Sequence, residues 1–174
     1  MEHCKDHYLG PAIWICMMTG LRLSEVQALQ WKNIDFEKNQ ILICAAFKRA
    51  ENEIKPYPKQ KNWLIVPMPA LLVSYLKNKM RFALGFAAPA KMGGMLDYSK
   101  FYRGLKKLCR DAGVDHVTPH ELRHSCTEIW FRHGATLEDI RRLLGHKSVE
   151  TTRRYVHRTD DRLIKLAKEI GGRL

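Results

Sequence analysis

Residues 118–157 read TPHELRHSCTEIWFRHGATLEDIRRLLGHKSVETTRRYVH, forty residues that hold three helix starts. Thr118 has the character of an N-cap, Pro119 suits the first helical position, and Glu121 stands where its side chain can return to the cap backbone. Thr136 and Asp139 repeat that spacing. Leu137, Ile140 and Leu144 share one helical face, and Gly145 supplies a stop. Ser148 then begins a helix that carries Tyr155 about two turns on. The spacing predicts helices near 119–133, 137–144 and 149–156.

Residues 120–124, His-Glu-Leu-Arg-His, also satisfy the His-Glu-x-x-His pattern of zinc peptidases. In such enzymes the glutamate is free to polarise a metal-bound water, and a further ligand completes the site. Here the cap gives Glu121 a structural task, Thr127 stands where the extended motif needs glycine, and Glu138 is the candidate third ligand. The helix start offers an anion site instead. Its first-turn amides and dipole attract phosphate, and His120 and Arg123 lie close enough on one face to converge on the same anion. Leu122, Cys126 and Ile129 form the apolar stripe, which leaves both polar residues at its margin. Taken singly, these two residues also fit a solvated face or a structural hydrogen bond. His146 likewise fits a structural histidine and Tyr155 a half-buried core tyrosine. The segment from 136 onward, with Arg141, Arg142, Lys147, Arg153 and Arg154, further suits a helix-turn-helix DNA reader.

The chain has 174 residues at 45% hydrophobic, enough for one domain with a real core. Thirty Lys and Arg against eighteen Asp and Glu leave +12, which favours a polyanionic partner, nucleic acid ahead of an anionic membrane surface. No apolar run approaches the length of a span, and MEHCKDHYLG lacks the apolar core of a signal peptide. A soluble intracellular protein with no membrane partner is expected. Cys4, Cys16, Cys44, Cys109 and Cys126 are odd in number, widely spaced and mostly in apolar stretches, so they read as reduced core thiols. The acidic residues are scattered or near caps, and neither metal nor cofactor is expected.

Around the deciding stretch, a helical period runs from His7 to Met18, and Thr19-Gly20 ends it. Ser24 as N-cap with Gln27 at capping-box spacing predicts a second helix with Arg22 just outside its start. Gln40 to Phe47, Glu53 to Pro58 and Asn62 to Pro67 read as three short strands with polar turns between them. Pro69 opens a helix to about Phe82. Residues 83–97, rich in Ala, Gly and Pro, read as a long mobile loop. Tyr98 to Ala112 is an amphipathic helix stopped by Gly113, and a last helix runs from Asp161 to Ile170. The predicted fold class is α+β: a mainly helical domain with a small three-stranded antiparallel sheet.

In combination, TGLRLSEV at 19–26, HELRHS at 120–125 and LGHKSVETTRRYVH at 144–157 resemble the ordered boxes of the catalytic domain of tyrosine recombinases of the phage-integrase type. The similarity spans nearly the whole chain, and three ordered boxes are far more specific than any one. The resemblance implies that Arg22 and Arg123 clamp a phosphate. It makes His120 a proton-transfer and hydrogen-bonding residue, His146 a second donor to the phosphate and Tyr155 the nucleophile. Glu25 becomes a supporting residue that orients the arginine and histidine side chains. The family places a general-acid lysine in the turn between its second and third strands. Here the hairpin KRAENEIKPYPKQKNWLIVP is long and lacks the arginine many relatives carry before Val66-Pro67. Lys59 is the choice for that lysine, Lys61 the alternative and Lys48 a distant third.

The chemistry suits these residue types. Attack on a phosphodiester builds negative charge on the non-bridging oxygens, and guanidiniums match phosphate geometry and stay charged. The tyrosine hydroxyl, mostly protonated near neutral pH, needs a cationic site and a base, and the leaving alkoxide needs a proton. The implied activity is DNA integration or recombination by breaking and rejoining through a 3′-phosphotyrosyl intermediate. The implied partners are double-stranded DNA sites, held by a homotetramer, in the cytoplasm of a bacterium or the host of a phage or mobile element. The apolar residues of Asp161 to Ile170 can pack on their own body or on a neighbouring protomer. Relatives carry an N-terminal DNA-binding domain before the first box and this chain starts almost at that box, so residues 1–174 are expected to be a single catalytic domain, a fragment of the whole. The rival readings are a type IB topoisomerase, a non-catalytic DNA-binding module and the zinc peptidase.

Overall fold

The computed structural model describes residues 2–57, 63–80, 85–145 and 161–170. Its α-helices are α1 (Gly10–Thr19), α2 (Leu23–Ala28), α3 (Ala70–Lys79), α4 (Tyr98–Asp111), α5 (Pro119–Arg132), α6 (Leu137–Leu143) and α7 (Asp161–Ile170). The strands are β1 (Ile34–Asp35), β2 (Gln40–Ile43), β3 (Ala45–Lys48), β4 (Glu53–Pro56) and β5 (Leu64–Pro67). The expected class, mainly helical with a small antiparallel sheet, is the observed one.

Helix α1, GPAIWICMMT, carries no charged residue, and a helix apolar all round belongs inside a core. It lies against α2, α3 and α5, with nearly every residue buried. Gly20 ends it in the left-handed region at φ 68°, its N–H donating to the Cys16 carbonyl at 3.0 Å. Leu122, Cys126 and Trp130 repeat one turn apart on the face that α5 turns to α1, and all three are buried. Trp130 is fully buried and its indole N–H donates to the Met18 carbonyl at 2.9 Å, which satisfies its one polar atom. All five cysteines are free thiols, and only Cys44 is not buried.

The strand reading is corrected in detail. The apolar run from Gln40 to Phe47 breaks at Cys44: β2 joins β1 and β5 in a three-stranded antiparallel sheet of order β1-β2-β5, while β3 pairs with β4 as a separate ribbon. Ile41 stands opposite both Ile34 and Val66 and faces the core, whereas the β3–β4 ribbon sits against α2 and turns at Asn52, φ 53°. A two-residue strand such as β1 leaves no periodic signal. Helix α2 also starts earlier than expected, with Arg22 rather than Ser24 as its N-cap.

Residues 85–97 are not a loose loop. Gly85 accepts from the Trp31 N–H at 3.0 Å, Ala87 donates to the Leu29 carbonyl at 2.9 Å, and Gln27 Nε2 donates to the Leu96 carbonyl at 2.7 Å. Ala87, Ala88 and Leu96 are buried, so the small residues are there to be packed over rather than to move. The last helix, α7, packs on α3, α5 and β5 of its own chain, burying Leu166, Ala167 and Ile170. The helix expected over 149–156 lies outside the described residues. Among the described residues no helix is long and apolar enough to cross a membrane.

Candidate functional site

Two helix starts meet at one cleft. At α2, Glu25 Oε2 accepts from the Arg22 backbone N–H at 2.7 Å. At α5, Glu121 Oε2 accepts from the Thr118 N–H at 2.6 Å, and Thr118 Oγ1 accepts from the Glu121 N–H at 3.2 Å, the expected capping box. Thr136 and Asp139 form a third such box at α6. The contact of α1 with α5, sealed where α1 ends at Gly20, brings the first two together. A Cβ on Gly20 would run into the Leu144 and Cys126 side chains, so glycine is needed there for space as well as for its backbone angle.

The cleft, about 330 Å³, is lined among others by Arg22, His120 and Arg123. Glu25 lies beneath them and is nearly buried. Its Oε1 accepts from Arg22 Nη1 at 3.4 Å and from the Tyr57 hydroxyl at 3.1 Å, and its Oε2 lies 4.0 Å from Arg123 Nη1. The side chains of Glu25 and Arg123 are each 7% exposed, whereas that of Arg22 is 55% exposed. Arg123 is thus a buried fixture rather than a residue at the stripe's margin. Its Nη2 donates to the Leu144 carbonyl at 3.0 Å. Burial first, and then the charge of Arg22, pull the Arg123 guanidinium below its usual value, and Glu25 opposes both. One carboxylate between two guanidiniums leaves a net positive charge, which is what an incoming anion would meet.

The cationic charge at the cleft sits on these side chains, and the α5 terminus is already partly occupied. Pro119 has no N–H, the Glu121 N–H is taken by Thr118 Oγ1, the Leu122 N–H by the Thr118 carbonyl, and a carboxylate already occupies the positive end of the helix. Hydrogen bonding to Thr118 holds the Glu121 carboxyl below its usual value. His120 is exposed, and its Nε2 lies 2.9 Å from Nε2 of His124, the rings edge to face. One of the two nitrogens must therefore carry the proton and the other accept it. Glu25 engages both arginines, while His120 is oriented by His124 instead. Glu138, the candidate zinc ligand, is held by Arg141 Nε at 2.6 Å and Arg142 Nε at 2.9 Å. Among the described residues no three His, Cys, Asp or Glu side chains are grouped to hold a metal ion.

Of the residues singled out in the sequence, the structure brings together Arg22, Glu25, His120 and Arg123. Lys48 is exposed at the end of β3. Lys59, Lys61, His146 and Tyr155 lie outside the described residues. Sequence reasoning missed Tyr57. Its backbone is pinned by its N–H donating to the Cys44 carbonyl at 2.7 Å and by Trp63 Nε1 donating to its own carbonyl at 3.3 Å. Burial, and then the Glu25 charge, push its hydroxyl up to about 12, so it stays a donor to the carboxylate. Cys16 lies under the same pair and is likewise pushed up to about 12 by burial, a neutral thiol.

A profile of the phage integrase family matches residues 1–162. The chain is 29% identical over 178 residues to a tyrosine recombinase XerC-like protein of Caldanaerobacter subterraneus subsp. tengcongensis, covering 87% of this chain and 46% of that one. It is 32% identical over 157 residues to tyrosine recombinase XerA of Saccharolobus solfataricus, covering 90% and 48%. It thus spans about half the length of these relatives. The fold is similar to a crystal structure of XerA recombinase at TM-score 0.67 and 25% identity, covering 95% of this chain and 57% of that one. It is also similar to the Tn1549 transposon integrase in complex with transposon right end DNA, at TM-score 0.66 and 19% identity, covering 90% and 56%.

Proposed function

The chain belongs to the phage integrase family, and from that premise we propose that it is the catalytic domain, over residues 1–174, of a site-specific DNA recombinase. The observation that carries this reading is the pair of guanidiniums, Arg22 and Arg123, gathered on one buried carboxylate and opening with His120 into one cleft. Such a pair neutralises the two non-bridging oxygens of a phosphodiester as charge builds on them. Because Arg123 is fixed by Glu25 and Leu144 before substrate arrives, its donors need little reorganisation during the reaction.

The Tyr155 hydroxyl oxygen attacks phosphorus and its proton passes to His120. The bond from phosphorus to the 5′-oxygen breaks, and that oxygen leaves as a hydroxyl with a proton from Lys59, or from Lys61. His146 donates a hydrogen bond to the phosphate. One phosphoester bond forms as one breaks, so the 3′-phosphotyrosyl linkage keeps the energy needed for a second strand's 5′-hydroxyl to reverse the step without ATP. The acting species is a cytoplasmic homotetramer on two double-stranded DNA sites.

The test is to incubate the protein with nicked duplex DNA in chelator and to resolve protein–DNA adducts under denaturing conditions. The wild type should form an adduct and Tyr155→Phe none. An adduct with Tyr155→Phe at the wild-type level would remove Tyr155 as the nucleophile. Binding without any adduct would favour the non-catalytic module, and relaxation of supercoiled circles without exchange the topoisomerase.

A further inference from the structure

A third arginine opens into the same cleft without any of the motifs pointing to it. Arg49 lies in the turn between β3 and β4, where Asn52 donates its N–H to the Arg49 carbonyl at 3.3 Å. Its guanidinium sits over the ring of Tyr98, 5.2 Å from the centroid. Tyr98 is the first residue of α4, a helix start fixed by Asp97 Oδ1 accepting from the Lys100 N–H at 2.8 Å. Both residues line the cleft with Arg22, His120 and Arg123. Arg49 is exposed, and the hairpin's own carboxylates, Glu51 and Glu53, are both engaged by Lys55.

We propose that Arg49, steadied on the face of Tyr98, is a second phosphate subsite of this cleft and grips a neighbouring phosphate of the same DNA strand. The inference rests on the reading of the cleft as a DNA-cleaving site. A cation held over a ring face is attracted by the ring without spending a hydrogen-bond donor, so the guanidinium N–H groups stay available for phosphate. The charge balance points the same way. Arg22, Arg123 and Arg49 against Glu25 leave a surplus of two positive charges, 3 − 1 = 2, whereas one phosphodiester brings a single negative charge. A polyanion with regularly spaced phosphates matches that surplus better than one isolated phosphate does.

The experiment measures binding of a fluorescent DNA duplex over a range of salt for wild type, Arg49→Ala, Tyr98→Phe and Tyr98→Leu. Arg49 and Tyr98 are surface residues, and circular dichroism checks that each variant is folded. Losing one phosphate contact should lower the slope of log affinity against log salt by about 0.9. Between 50 and 200 mM salt the wild type should therefore lose roughly three- to four-fold more affinity than Arg49→Ala. Tyr98→Phe, which keeps the ring, should match the wild type, and Tyr98→Leu should shift toward Arg49→Ala. An Arg49→Ala slope equal to the wild type's overturns the subsite, as does a failure of the wild type to bind duplex at all. The adduct assay reads separately: adducts with an unchanged slope sink the Arg49 subsite alone, whereas the slope loss without adducts keeps it and sinks the nucleophile.

Discussion

The starts of α2 and α5 use the same local device and come to different ends. In each, a glutamate three residues past the cap returns to the cap's backbone N–H, at 2.7 Å in α2 and 2.6 Å in α5. Glu121 stays exposed and its carboxylate caps the start of its helix. Glu25 is buried by the ribbon and by α5, so its remaining lone pairs collect Tyr57, Arg22 and Arg123. A capping carboxylate becomes the keel of a site only when other elements cover it and bring cations. The helix start by itself does not distinguish the two.

The largest expected effect comes from removing the buried member. Glu25→Ala removes the buried carboxylate beside Arg123, and urea unfolding should show a loss of about 3–5 kcal/mol. Glu121→Ala should shift the midpoint far less. Next is Arg22→Ala: adduct formation should slow on the order of a hundred-fold. Its thermal midpoint should hardly move, because an ion pair that exposed is worth about 1 kcal/mol or less. Tyr57→Phe removes one hydrogen bond and should cost about 1 kcal/mol. Its pH signature is specific. The folded-state hydroxyl is held at about 12 against the ordinary 10.0, so this contribution is present below pH 10 and lost as pH rises towards 12. Stability curves of Tyr57→Phe should lack that alkaline component. The smallest effect belongs to Glu121→Gln. Its carboxyl is held below the ordinary 4.5, so its stabilisation is present above that pH and lost as pH falls through the depressed value. The variant should flatten that acid limb and leave stability at neutral pH nearly as it was.

What was legible in the sequence follows the reach of each interaction. The boundaries of α5 and α6 depend on Thr118 with Glu121 and Thr136 with Asp139, partners three residues apart, and they fell where their spacing placed them. The start of α2 did not. Ser24 and Gln27 look locally like the better cap pair, but Gln27 is drawn away to the Leu96 carbonyl, 69 residues on, and Glu25 takes the capping role. The same bond explains why residues 85–97 are seated when their composition suggests mobility. Arg22 and Glu25 were found through the resemblance of their box to the family's, whereas His120 and Arg123 also stood out at a local helix start. Tyr57 was not, since its partner lies 32 residues back and nothing in the hairpin's own pattern announces it. Arg49 escaped for a related reason, because its partner Tyr98 lies on α4, far along the chain from the hairpin.

The bond from Arg123 to the Leu144 carbonyl bears on how chains of this kind can be cut and respliced. Leu144 is tied to the clamp through its backbone and seated through its side chain in the space that Gly20 leaves open. The distance along the chain from α5 to Gly145 is therefore set. One residue added there would displace that carbonyl by up to about 3.5 Å and break the bond. A junction just after Gly145 leaves both attachments of Leu144 in the chain that precedes it.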